Sequence, residues 1–359
     1  MGNFIPNDSD LVLDALPEDV IASMEVRDRA LNDLAHTGPG GLEFLVEDAL
    51  KWLPGQTVRV GFLGGSNELH SAIATEMSIV QDNCNLTFDF SDDANGEFRQ
   101  WSENDTDYSA DIRISFNKGG YFSLVGTDSI NPNIGSPNGT IGGRPYQCSM
   151  NFGGFDIQRP STWRGTVKHE LLHALSFHHA HQNMRGPCES AFRWEDDTGY
   201  RPTRDSRGVF VEDSAGRRPG IYTYLSGEPN NWSRAKVDHN LRTEESPDLI
   251  AGSFDRHSIM LYRFPDSFYK TVPSACQPAG NGQDLSEEDI RGLQLLYPNQ
   301  IASVDTRVQK QNDLLDALGQ NVAAGGLESI HTESTSQTQD DIETLKGILQ
   351  RNLEAVGRK

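Results

Sequence analysis

Five of the ten histidines fall within residues 169–181, in the run HELLHALSFHHAH. No other stretch constrains the fold as tightly. On an α-helix, residues i and i+4 stand one above the other on the same face. His169 and His173 can therefore hold one zinc ion from one side of a helix. Glu170, one step round, can reach a water at that metal without taking a coordination position. Val167, Leu171, Leu172, Leu175 and Phe177 can bury the helix and hold the ligands still. A catalytic zinc usually has three protein ligands and one open position. His179 would complete the set, but on a continuous helix it would lie about 15 Å beyond His169 along the axis. The chain must therefore leave the helix after about Leu175 and turn back. His178 and His181 are the competing candidates for the third position.

Composition narrows the setting. The chain has 359 residues, with 31 Lys+Arg against 52 Asp+Glu and a net charge of −21. That length suits one large or two modest domains. The acidity argues against a nucleic-acid partner, which needs a basic footprint. No apolar run approaches the roughly 18 residues of a membrane span, so no membrane insertion is expected. The N-terminal MGNFIPNDSD has no basic region followed by an apolar one, so no signal peptide is visible. Cys84, Cys148, Cys188 and Cys276 lack CxxC spacing, and their even number allows two disulfides in three pairings.

Three regions are expected. Residues 1–50 read as a helical extension, with Val20, Ile21 and Met24 on one helix and Leu42, Leu45, Val46 and Leu50 on a second. Residues 51–298 read as α/β. Val58, Val60 and Phe62 alternate, as do Leu86, Phe88 and Phe90, then Ile112, Ile114 and Phe116, then Cys148, Met150 and Phe152, each at the period of a strand. Leu69, Ile73, Met77 and Val80 form one helical stripe. Residues 184–220 carry no sustained period and read as a long surface loop or insertion. Residues 299–359 read as a C-terminal helical tail. In it, 324–340 is a polar linker, and Ile342, Leu345, Leu349, Leu353 and Val356 face one side of a helix. That helix either docks on its own domain, or binds a partner or self-associates.

The histidine run, with its third His at this spacing, resembles the metzincin zinc peptidases and most closely the astacin group. Ser258-Ile259-Met260-Leu261-Tyr262 resembles the astacin Met-turn, and residues 285–298 resemble the closing helix of metzincin domains. The resemblance spans about residues 51–298. It implies an α/β fold, α+β by some definitions: a twisted, mostly parallel sheet with an active-site helix over a smaller irregular subdomain. It also implies a zinc-dependent endopeptidase acting on peptide or protein substrates, with one Zn2+ per chain held by His169, His173 and His179. Glu170 is then the general base, Met260 a hydrophobic base under the metal, and Tyr262 a second catalytic residue that helps stabilise the oxyanion. The mainly extracellular habit of the family implies that the four cysteines are mostly disulfide-bonded. The alternatives are a zinc-holding peptide-binding protein without turnover and a metzincin-like peptidase outside the astacins. The sequence departs from the astacin pattern at Ser176, where the family has Gly, and at Ala180, where it has Glu. No FxGD inhibitory segment appears in residues 1–50. The turn before His179 calls for a left-handed residue, and the family's Gly at this position implies that Ser176 takes it, at positive φ.

Overall fold

Strands form where the alternation predicts them. The computed structural model describes residues 16–37, 50–92, 96–243, 252–323 and 334–356. They divide into two units. The first takes residues 16–177 and 289–356, and the second takes 178–288.

In the first unit, α1 (Glu18–Thr37) precedes β1 (Thr57–Leu63), α2 (Asn67–Gln81), β2 (Thr87–Asp89), the short pair β3 (Ser91–Asp92) and β4 (Glu97–Phe98), β5 (Ile112–Ser115), β6 (Tyr121–Ser123), β7 (Met150–Phe152) and α3 (Trp163–Ala174). The five-stranded sheet has the order β2-β1-β5-β7-β6. Its pairings are parallel in register Val58↔Phe88, Val60↔Ile112 and Ile114↔Met150, and antiparallel only at the β6 edge, where Phe122 faces Asn151. This is the mostly parallel α/β sheet that the sequence implies. On α2, Leu69, Ile73, Met77 and Val80 are all buried. Leu16, Val20, Ile21 and Met24 of the N-terminal segment pack with Trp101, Phe122, Leu124 and Ile134.

The second unit holds α4 (Cys188–Ala191), the hairpin β8 (Thr203–Arg204) and β9 (Phe210–Val211), α5 (Ile221–Leu225) and α6 (Arg234–Leu241). Phe192, Phe264, Phe268 and Tyr269 form its aromatic core. Arg242 lies 3.9 Å from the Trp194 ring centroid and donates to the Tyr222 hydroxyl at 2.8 Å. The chain then returns to the first unit with α7 (Glu287–Leu296), α8 (Ile301–Ala323) and α9 (Ser334–Val356).

Three expectations change, and a fourth falls mostly outside the described residues. Residues 184–220 are not a plain loop: they contain α4 and the β8–β9 hairpin, with tight turns held by Asp205 and Asp213, and such short pieces leave no readable period. The linker assigned to 324–340 ends earlier, because residues 334–340 belong to α9; 324–333 lie outside the described residues. Of the second N-terminal helix, residues 42–49 also lie outside them, and Leu50 is in a turn. Two disulfides become one, Cys188–Cys276. Cys84 and Cys148 are buried free thiols, each pushed by burial up to about 11. The C-terminal helix docks within its own unit. Ile342, Leu345, Ile348 and Leu349 are buried, Asp341 accepts from Asn133 at 2.7 Å, and Asn352 accepts from Gln56 at 3.3 Å.

The alternation of β5 is misleading in one respect. Arg113 and Ser115, the residues between its apolar positions, are also fully buried. The Arg113 guanidinium lies 5.3 Å from the centroid of the Tyr108 ring and gives its hydrogen bonds to backbone carbonyls. Nε donates to Gln147 at 2.6 Å, Nη1 to Ala110 at 3.2 Å and Asp111 at 3.3 Å, and Nη2 to Ser129 at 2.5 Å and Gly142 at 3.2 Å. It rivets the 126–147 segment to the sheet, and burial brings its pKa down to about 10. Lysine has three donors for these five carbonyls, and a buried polar group left unpaired costs about 1–3 kcal/mol. Arg113→Lys should therefore lower stability by about 3 kcal/mol in urea unfolding; a loss under about 1 kcal/mol would refute the rivet.

His70 yields a pH prediction. It is buried among Phe62, Phe98 and Phe116, with its ring centroid 4.1 Å from that of Phe62 and Nε2 2.8 Å from the Gly64 carbonyl. Burial lowers its pKa, against a smaller opposing effect from that carbonyl. The unfolded chain therefore takes up a proton near pH 6.5 that the folded chain resists. The contribution to stability is fully present above that pH and is lost as pH falls through it. Urea midpoints measured from pH 7.5 to 5 should fall in the wild type and fall less in His70→Phe. Parallel curves would contradict this.

Candidate metal centre

The site is built on α3 and on the way the chain leaves it. From Val167 to Ala174 every residue of the helix is buried. His169 and His173 project from successive turns, with their rings 4.9 Å apart and nearly perpendicular. His173 Nδ1 lies 2.8 Å from the Phe177 carbonyl. A carbonyl only accepts, so Nδ1 carries the proton and Nε2 keeps its lone pair for a metal.

The helix then ends sharply. Ser176 has φ +68°, the left-handed conformation expected from the sequence. Its N–H donates to His173 at 2.8 Å, and Phe177 N–H donates to Leu172 at 3.0 Å. These are the paired bonds of a Schellman terminus, formed here with Ser where Gly is usual. Remote side chains satisfy the carbonyls this exit exposes. Trp52 Nε1 donates to Ala174 at 2.8 Å, and the Tyr297 hydroxyl donates to Leu175 at 3.2 Å. Ser176 Oγ in turn donates to the Leu50 carbonyl at 3.3 Å. Gly126, at φ +54°, makes room for the turn: a Cβ there would lie 2.1 Å from Leu50 O and 2.4 Å from Ser176 Oγ.

His179 follows three residues later. Its candidate ligand atom and those of His169 and His173 lie within 4.8 Å of one another, and all three residues are buried. Of the two competitors, His178 is exposed and His181 is wholly buried. The His181 Nε2 is 2.9 Å from the Asn240 carbonyl, and Gln182 Nε2 donates to His239 O at 2.8 Å, so this short turn is fastened to the end of α6. These contacts brace the turn around Ala180. Ala180 N–H donates to the Met260 carbonyl at 3.0 Å, which ties the Met-turn to the residue after His179. Met260 is buried, and the Tyr262 ring lies 4.3 Å from that of His179 and 5.1 Å from that of His181. Glu170, next to His169, is 1% exposed.

Sequence reasoning assigned no structural role to Trp52, His181 or Glu76. Trp52 and the Tyr297 hydroxyl act through contacts remote in sequence, which no local pattern encodes. Glu76 carried a readable signal, since it lies inside the apolar stripe of α2.

Neither a protein-family model nor a curated relative matches the chain. Among solved structures the chain is similar to myroilysin, at 26% identity and TM-score 0.49 over 70% of this chain and 98% of that one. A second myroilysin structure shows 23% identity and TM-score 0.41, over 70% and 88%. High choriolytic enzyme 1, a hatching-enzyme zinc protease of the medaka fish Oryzias latipes, shows 17% identity and TM-score 0.39, over 70% and 96%.

The turn yields a prediction. Ser176→Gly should unfold at the same urea concentration as wild type or slightly higher, since glycine carries no left-handed penalty. Ser176→Val should lose about 2 kcal/mol, because a β-branched residue is strained there. A Val variant with wild-type stability would contradict the geometry.

Proposed function

We propose that this chain is a zinc-dependent endopeptidase. The observation that carries the reading is the convergence of three buried imidazoles within 4.8 Å, two of them from one face of a helix that also carries Glu170. Three neutral nitrogen donors with no thiolate among them fit zinc in an open, catalytic type of site. His169, His173 and His179 would hold the ion. Bound zinc supplies a water acidic near neutral pH and a Lewis acid for the scissile carbonyl.

The remaining work belongs to the chain. Glu170 stands beside the ligand set rather than in it, and it takes the proton of the attacking water and returns it to the leaving nitrogen. The Tyr262 hydroxyl donates a hydrogen bond to the developing oxyanion. His181 packs against both Tyr262 and His179, which limits the motion of their rings. The edge strand β6 offers its backbone to an extended peptide, which would add as a further strand. The Cys188–Cys276 disulfide fits an oxidising, extracellular setting.

Metal analysis of zinc-replete protein should find one zinc per chain, and 1,10-phenanthroline should remove it together with peptide hydrolysis. Glu170→Gln should keep the zinc and lose about 10²–10⁴-fold in kcat/KM on a peptide library. Zinc-free protein after replete purification would overturn the metal assignment. A Glu170→Gln variant cleaving at the wild-type rate would overturn the mechanism. A wild type that holds zinc yet cleaves nothing would favour a peptide-binding protein.

A further inference from the structure

Glu76 interrupts the apolar stripe of α2. It sits among Ile73, Met77 and Val80 and is only 2% exposed. Both its oxygens are engaged by α3: Oε1 accepts from Arg164 Nη1 at 2.8 Å and Oε2 from Lys168 Nζ at 2.6 Å. Lys168 is itself 2% exposed and directly precedes His169. Arg164 and Lys168 stand at i and i+4, so one carboxylate grips two successive turns of the helix along a single stripe.

Such an arrangement is a poor source of stability. Removing two charges from water costs several kcal/mol per ion, and well-packed apolar groups of similar volume often serve as well or better. Its distinctive property is direction. Apolar contacts hold two helices at a distance but resist rolling weakly, whereas a carboxylate held between two cations on one stripe fixes the roll. Side-chain atoms lie about 5–6 Å from a helix axis, so a roll of about 10° carries an imidazole nitrogen about 1 Å. Metal–ligand distances must hold to about 0.2 Å.

We infer that Glu76 is a positioning residue of the histidine site: by gripping Arg164 and Lys168 it sets the rotation of α3 about its own axis, and with it the aim of His169, His173 and Glu170. The inference rests on the zinc reading above.

The test compares the full-length wild type, Glu76→Gln, and the double variant Glu76→Leu/Lys168→Met. Urea unfolding of the metal-free proteins reads stability. Competition against a chromophoric chelator reads zinc affinity, and the visible absorption of the Co2+-loaded proteins reads coordination geometry. The double variant replaces both buried charges with apolar groups. It should keep a wild-type urea midpoint yet bind zinc at least tenfold more weakly, with altered Co2+ bands. Glu76→Gln keeps the shape, so it is the fallback if the double variant fails to fold, and it should show the same weakened binding and altered bands. A folded variant with wild-type zinc affinity and Co2+ spectrum would overturn the positioning role while leaving the zinc site intact. A wild type that binds neither metal would overturn the zinc reading and this inference with it.

Discussion

The exit of the chain from α3 at Ser176 is the constraint on which the candidate centre depends. A helix that ran on would carry His179 away from His169 and His173, and a helix that frayed would not hold it anywhere. The left-handed Ser176, at φ +68°, closes the helix with paired backbone bonds in one step. Its cost, on the order of 1 kcal/mol for a residue with a Cβ, is offset by Trp52 and Tyr297 donating to the last carbonyls. These partners come from residues far apart in the chain, so the local strain is held by the packing of the whole first unit. Phe177 completes the closure by packing against Gly292 of α7, where a Cβ would come within 2.8 Å of its ring.

Buried polar groups do two different jobs in the first unit. Arg113 spends all its donors on carbonyls and fixes a long irregular segment to the sheet. Glu76 and Lys168 instead join two helices. Apolar burial alone would give the sheet and helices their contacts. Polar groups of this kind narrow those contacts to one arrangement, which the proposed zinc site, with its tight distance tolerances, would require.

Much of this was legible in the sequence, and the gaps have physical causes. The strands around Val60, Ile114 and Met150 announce themselves by period, as does the stripe of α2, because each buries one continuous face. The sharp exit after Leu175 follows from a distance argument about His179, and the astacin resemblance, with Gly at the position of Ser176, implies where its left-handed residue falls. Strand β6 was missed because Tyr121–Ser123 is too short to show a period and follows Gly119-Gly120. The α8 helix, Ile301–Ala323, was not separated from the tail because its polar residues obscure its apolar face. Arg113 deceived because strand alternation assumes a solvent side, and β5, an inner strand, is buried throughout. The cysteine count suggested two bridges, whereas burial rather than bonding accounts for Cys84 and Cys148.

The central claim is that the turn at Ser176 delivers His179, and neither of its neighbouring histidines, to His169 and His173. Zinc titration of His178→Ala, His179→Ala and His181→Ala against wild type tests it most directly. The account predicts that His179→Ala loses affinity by several orders of magnitude. His178→Ala should bind like wild type, and His181→Ala should show only a modest loss through looser packing of the His179 ring. Wild-type affinity in His179→Ala, or a comparable collapse in His178→Ala, would contradict it.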